Sequence, residues 1–136
     1  MNVLETQWWL MDIPPEWETE QDDELIVVSD EDGVGEIAIT TLVKQEGTID
    51  DLALREFAVD TEALAGSGQP VECGDFRGYY YSFQENNEAV REWYLGLDNT
   101  VLLVTYCCDL DNAGMDDGAV DEILSTLLLK PAEQSD

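Results

Sequence analysis

The chain has 136 residues, 44% of them hydrophobic, and a formal net charge of −27 from 32 acidic and five basic side chains, with no histidine. That length suits one domain that buries roughly two-thirds of its unfolded surface. The charge opposes nucleic acid and anionic lipid and favours basic proteins or cations within about 8 Å, one Debye length at physiological salt. Lys44, Arg55, Arg77, Arg91 and Lys130 are the only cations, so few carboxylates have an intramolecular partner. Solubility and adaptation to a salty cytoplasm account for such a surface as readily as docking does.

Residues 7–13, QWWLMDI, predict a strand that stops at Pro14 and Pro15, because proline cannot donate to a ladder and restricts its predecessor. Trp8 and Trp9 are neighbours on it and point to opposite faces. Apolar layers on both sides would bury both, and an exposed aromatic anchor for a partner is the alternative. Residues 16–20 alternate around Trp17. Residues 24–29, ELIVVS, read as a strand followed by an acidic turn over 30–33. Residues 35–43 set Ile37, Ile39, Thr41 and Val43 on one side and Glu36, Ala38, Thr40 and Leu42 on the other.

Thr48 reads as the N-cap of a helix over about 49–65 that Gly66 ends, with Ile49, Ala53, Phe57 and Leu64 as its stripe, widened by Leu52 and Leu54. The stretch 66–70, GSGQP, reads as a loop. A short strand over 71–73 then turns at Gly74 and Asp75.

Residues 76–108 organise the rest as three antiparallel strands. Asn86 and Asn87 tolerate the left-handed backbone of a two-residue hairpin, and this turn sets Tyr80 opposite Trp93, Ser82 opposite Arg91, Tyr81 opposite Glu92 and Phe83 opposite Val90. A turn at Asp98 and Asn99 sets Trp93 opposite Val104, Leu95 opposite Leu102, Arg91 opposite Tyr106 and Val90 opposite Cys107. One face then carries Tyr80, Trp93, Leu95, Leu102, Val104 and Tyr106; the other carries Tyr79, Tyr81, Phe83, Tyr94, Val101 and Leu103. Both faces are apolar, which predicts cover on both sides and layers of helix, sheet and helix. Arg91 stands out among these neighbours, and the expectation is a snorkelling side chain with its plane on Tyr106, an interaction of roughly 0.5–2 kcal/mol.

After the loop DLDNAGMDDG, a second helix is predicted over about 117–128, with Val120, Ile123, Leu124 and Leu127 on one stripe, ended by Pro131. The domain is thus expected over 1–130 and a disordered tail over 131–136. Strands, helix, strands, helix is an α+β order and argues against a doubly wound parallel sheet.

Catalytic chemistry finds little support. The loop from Asp109 has acids at positions one and three and glycine at six of a calcium loop, but Ala113 stands at five and Val120 where a glutamate must close it, so a solvated turn is the better reading. Gly66-Ser67-Gly68 follows a helix and does not enter one, so its amides are not gathered for phosphate. With 32 acids, adjacent carboxylates such as Asp22 with Asp23 or Asp116 with Asp117 carry no message about acid-base catalysis. Cys73, Cys107 and Cys108 form no Cys-x-x-Cys and lie in a negative field without a histidine, which describes inert, reduced thiols. No metal or cofactor is expected. The N-terminus lacks a basic region with an apolar core and cleavage site, and no apolar run spans a membrane, so a cytoplasmic protein is expected.

The segment Asp12-Ile13-Pro14-Pro15-Glu16-Trp17, an early hairpin, a helix, Gly78 opening a strand, the Trp93 strand, the strand over 101–105 and a last helix through 123–127 together resemble the Mog/PsbP-like superfamily over about residues 7–129. The resemblance implies an antiparallel sheet between helices, an α/β/α sandwich, and a non-enzymatic binding role. Some bacterial members are thought to be adaptors that shield hydrophobic segments of secreted effectors. The expected function is therefore a protein-binding module, an adaptor or immunity protein, whose partner is basic or carries an exposed apolar segment. Trp8, Trp9, Tyr80, Arg91 and Tyr106 are the candidate contacts. The alternative is a small-ligand binder or enzyme with a pocket between sheet and helix, lined by Ser82, Arg91 and Tyr106.

Overall fold

A computed structural model describes residues 2–22, 25–31 and 33–130. Five strands come first: β1 (Asn2–Glu5), β2 (Trp9–Ile13), β3 (Trp17–Asp22), β4 (Leu25–Asp30) and β5 (Gly35–Val43). Helices α1 (Asp51–Phe57) and α2 (Val59–Ala65) precede β6 (Gln69–Cys73), β7 (Phe76–Glu85), β8 (Glu88–Leu97) and β9 (Thr100–Asp109). Helix α3 (Asp117–Leu124) and the two-residue β10 (Leu128–Leu129) complete the described chain. Seven strands form one sheet in the order β3-β4-β5-β9-β8-β7-β6, and β1, β2 and β10 form a second. Every pairing is antiparallel. The fold is α+β. The tail expected at 131–136 lies outside the described residues. Among the described residues no helix is long and apolar enough to cross a membrane.

The central meander has the expected register. Asn86 and Asn87 take φ of 53° and 69°, the left-handed pair of a tight hairpin, and Asp98 takes 53° in the next turn. Tyr80 faces Trp93, Ser82 faces Arg91, and Arg91 in turn faces Tyr106. Strand β5 docks beside β9 through Ile37–Tyr106 and Ile39–Val104. The face carrying Trp93, Leu95, Leu102, Val104 and Tyr106 is the floor of the core.

The cover on that face differs from the expectation. Helix α3 supplies Val120, Ile123 and Leu124, and Trp9, Met11 and Ile13 of the small sheet join the same core cluster. The predicted helix over 117–128 stops at Leu124. Thr126 explains the stop: its hydroxyl donates to the Ile123 carbonyl at 2.7 Å and accepts the Asp12 amide at 2.9 Å. The chain is thereby turned into β10, where Leu128 pairs with Leu10 and Leu129 with Trp9.

The helix expected over 49–65 is two helices joined at Ala58. Its N-cap is Asp50, whose carboxylate accepts the Ala53 amide at 2.9 Å, and not Thr48. The break resets the helical phase, so the expected stripe does not continue: Leu54 and Ala58 are buried while Leu52, Phe57 and Leu64 are exposed.

Candidate functional site

Arg91 is positioned by the middle of β8, and its side chain is only 12% exposed. Nε donates to Tyr80 Oη at 2.7 Å and Nη2 to Asp121 Oδ1 at 2.7 Å. Nη1 lies 3.4 Å from Asp117 Oδ1, close enough for charge attraction, but makes no hydrogen bond. The guanidinium carbon sits 4.7 Å from the Trp93 ring centre and 5.1 Å from that of Tyr80. The expected stacking on Tyr106 is therefore replaced: two acids one turn apart on α3 draw the guanidinium over Trp93 and Tyr80. Tyr106 instead donates its hydroxyl to Asp116 Oδ2 at 2.7 Å. Burial works against the Arg91 charge, yet the bonds to Tyr80 and Asp121 outweigh it and hold the guanidinium above its ordinary pKa.

A cavity of about 350 Å³ opens beside this cluster, lined by Tyr80, Ser82, Arg91, Tyr106 and Asp117 among others. Its one cation is already engaged by carboxylates. Trp9 is fully buried and donates Nε1–H to Thr41 Oγ1 at 2.9 Å. Tyr106 is likewise a core residue, so neither offers surface to a partner. Trp8 is half-buried at the margin of the core. Of the five candidates, Tyr80 and Arg91 come together, Tyr106 borders the same cavity, and Trp8 and Trp9 lie elsewhere.

The second face of the large sheet is divided. Over β7 and β8 it is tied to the helix pair by hydroxyl-carboxylate bonds: Tyr79 to Asp51 at 2.6 Å, Tyr81 to Glu62 at 2.7 Å, and Thr61 to Glu92 at 2.8 Å, a carboxylate that Tyr94 of the same strand also reaches at 2.7 Å. Burial, reinforced by the Glu92 carboxylate against the opposing bond from Thr61, pushes the Tyr94 hydroxyl up to about 12.

Over β4, β5 and β9 the same face is open. The ladder fixes a row from Glu20 through Val27, Ala38 and Thr105 to Glu92, and a second from Asp22 through Leu25, Thr40 and Leu103 to Tyr94. Val27, Ala38, Thr40, Leu103 and Thr105 are all half-buried, and Glu18, Glu20 and Asp22 stand exposed along the β3 edge. Towards α1 this floor runs into a cleft of about 490 Å³ lined by Leu42, Val43, Ile49, Ala53, Phe57 and Val101, with Lys44 and Glu56 among its lining residues. The result is an apolar trough between carboxylate flanks. The sequence expectation of full cover on both faces missed it. The signal lay in β5, where Ala38 and Thr40 are far smaller than Ile37 and Ile39 opposite them.

A further cleft of about 760 Å³ lies between the start of α1 and the ends of β6 to β8, with Arg77, Asp50, Asp51, Glu72 and Asp98 among its lining residues. The calcium-like segment forms the end of β9 and a 3-10 turn over Leu110–Asn112. Among the described residues no group of three or more Cys, Asp or Glu side chains is placed to hold a metal ion. All three cysteines are free. Burial, with Asp121 nearby, pushes the Cys73 thiol up to about 11, the opposite of what a nucleophile requires.

No family model matches the sequence, and no curated protein matches it significantly. Solved structures do match in fold. A crystal structure from Bacteroides thetaiotaomicron VPI-5482 superposes over 90% of this chain with TM-score 0.67 and 18% identity. This chain spans 45% of the length of that one. LpqN, involved in cell envelope biogenesis of Mycobacterium tuberculosis, matches over 90% of this chain and 83% of its own with TM-score 0.64 and 16% identity. PsbP of Synechocystis sp. PCC 6803 is more distant, with TM-score 0.43 and 10% identity over 90% of this chain and 86% of its own. At these identities the likeness is one of fold, the Mog/PsbP-like fold that the sequence pattern resembles.

Proposed function

We propose that this domain is a non-enzymatic protein-binding module, an adaptor or immunity protein for a secreted effector. The observation that carries the reading is the open face over β4, β5 and β9: a half-buried apolar floor with exposed carboxylates along its edge. Apolar surface left uncovered on a sheet, rimmed by charge, is the general signature of a contact site. The reading takes the domain as an α/β/α sandwich, supported by α1 and α2 bonded to the second face and α3 packed on the first. It places the protein in the cytoplasm, where Cys73, Cys107 and Cys108 would stay reduced.

The test is affinity capture on the immobilised protein at low and high salt, followed by reconstitution of any captured protein with purified components. A saturable complex with one protein is expected. Failure to recover and reconstitute a partner at either salt overturns the reading.

A second reading, a small-ligand site, is favoured by the cavity beside Arg91. It predicts amide shift changes at Ser82 and Arg91 on titration with small carbonyl compounds, lost in Arg91→Met. No shift at those residues across such compounds removes it.

A further inference from the structure

The open face is enclosed on two sides, and its shape and charge restrict what can lie there. Strands β4, β5 and β9 each pair with a neighbour on both sides. Their backbone groups are spent in the ladder, so an incoming β-strand would find no free amides or carbonyls on this surface. Only side chains are on offer. A segment that satisfies its own backbone, an α-helix, suits such a surface. Three strands at about 4.8 Å spacing give a floor roughly 14 Å across, and the nine residues of β5 give it a length of about 30 Å. A helix is 10–12 Å in diameter, and 18 residues of it run about 27 Å.

The floor and the flanks differ in chemistry. Val27, Ala38, Thr40, Leu103 and Thr105 present methyl groups and small side chains. Glu18, Glu20 and Asp22 line one flank; on the side of the helix pair Glu56 lines the cleft together with Lys44, and the exposed Asp60 acts on Tyr94 at the end of the second row. An occupant must therefore bury one apolar stripe and set positive charge on both sides of it. We propose that the open face between β3 and the helix pair receives a basic amphipathic helix of a protein partner. This deepens the protein-binding reading and rests on it. The apolar stripe supplies contact, and the paired acidic flanks set the orientation and speed the encounter.

The probe is a labelled 18-residue Leu/Lys peptide patterned as an amphipathic helix, beside a peptide of the same composition scrambled to remove the apolar stripe. Affinity is read by fluorescence anisotropy at physiological salt. Thr105→Arg places a cation in the floor, and Thr19→Arg adds the same charge on the other face of β3. Like-charge contact inside an interface is strongly unfavourable, so Thr105→Arg should weaken binding at least about tenfold while Thr19→Arg changes it by less than about threefold. The amphipathic peptide should bind the native protein at least about tenfold tighter than the scrambled one, since only it can cover the floor. Amide shifts in the native protein should concentrate at Ala38, Thr40, Leu103 and Thr105, a readout independent of whether the variants fold. Equal affinity for both peptides, equal loss in both variants, or shifts centred elsewhere overturns the proposal. A reconstituted partner that binds Thr105→Arg as tightly as the native protein also overturns it while leaving the protein-binding reading intact; failure to find any partner removes that reading itself.

Discussion

Arg91 of β8 and Asp121 of α3 meet across 2.7 Å, a direct charged link between the central sheet and the last helix. The two partners are unequal. The Arg91 side chain is 12% exposed and lies against Trp93 and Tyr80, whereas Asp121 is 59% exposed. Solvent screens the ion pair, so its own contribution is at most about 1 kcal/mol. The arginine also contributes its stem and its stacking. Arg91→Ala should therefore cost about 2–3 kcal/mol and Asp121→Asn no more than about 1 kcal/mol, by urea denaturation. Equal costs would show that the charge pair, and not packing, fastens α3.

Thr41 accepts the Trp9 indole N–H at 2.9 Å with both residues buried. Thr41→Val keeps the shape and removes the acceptor. The orphaned donor should cost about 1–3 kcal/mol in the same denaturation experiment, even though valine is the better strand former.

Two glycines should respond in opposite directions. A Cβ at Gly78 would run into the Tyr94 carbonyl across the β7–β8 ladder. A Cβ at Gly118, inside α3, meets nothing within 4 Å. Gly78→Ala should destabilise by about 1–3 kcal/mol or more through forced backbone movement, and Gly118→Ala should stabilise by about 0.5–1 kcal/mol through helix propensity and lost unfolded-state freedom. Thermal melts of the two variants check both signs.

Alkaline pH should unfold the domain early. The Cys73 thiol is raised from 9.0 to about 11 and the Tyr94 hydroxyl from 10.0 to about 12. Below these unfolded values both states keep the proton and stability is flat. Between the unfolded and folded values the unfolded chain releases a proton that the folded chain retains, so stability falls as pH rises. The melting temperature should hold to about pH 8.5 and decline from about pH 9 upwards. Cys73→Ala should flatten the first part of that decline, between pH 9 and 11.

Salt should stabilise the protein. A net charge of −27 with five cations leaves most carboxylates repelling one another. Screening shrinks that repulsion, so the melting temperature should climb as salt rises from about 10 mM to about 1 M. A melt insensitive to salt would exclude salt adaptation as the sole reason for the acidic surface.

The pairing of the meander was legible because it is local. Asn86, Asn87 and Asp98 force left-handed turns, and once the turn residues are fixed every partner from Arg77 to Asp109 follows by counting. Strand β5 was legible for the same reason, since its alternation of Ile37, Ile39 and Thr41 needs no knowledge of the partner. The small sheet was not. Its strands β1 and β2 lie at one end of the sequence and β10 at the other, and Leu128 and Leu129 continue the helical pattern of α3 until Thr126 binds the Asp12 amide. No periodicity announces a contact across that separation. The break at Ala58 escaped similarly, because the residues on either side of it are good helix formers and propensity does not mark where a helix divides.

The sequence by itself determined the α+β class, the register of the central sheet and the acidity of the surface, because turn chemistry, side-chain alternation and charge count are properties of neighbouring residues. Only the tertiary structure decided what lies on each face. Arg91 was singled out by its place in an apolar strand, but Tyr80, Trp93, Asp117 and Asp121 became its partners through the docking of α3. The open trough over β4, β5 and β9 exists because two short helices with a reset phase pack mainly over β7 and β8, leaving Thr40 and Leu103 half in water. The area a helix covers depends on where its axis comes to rest against the sheet, and that is fixed by packing between segments far apart in the chain.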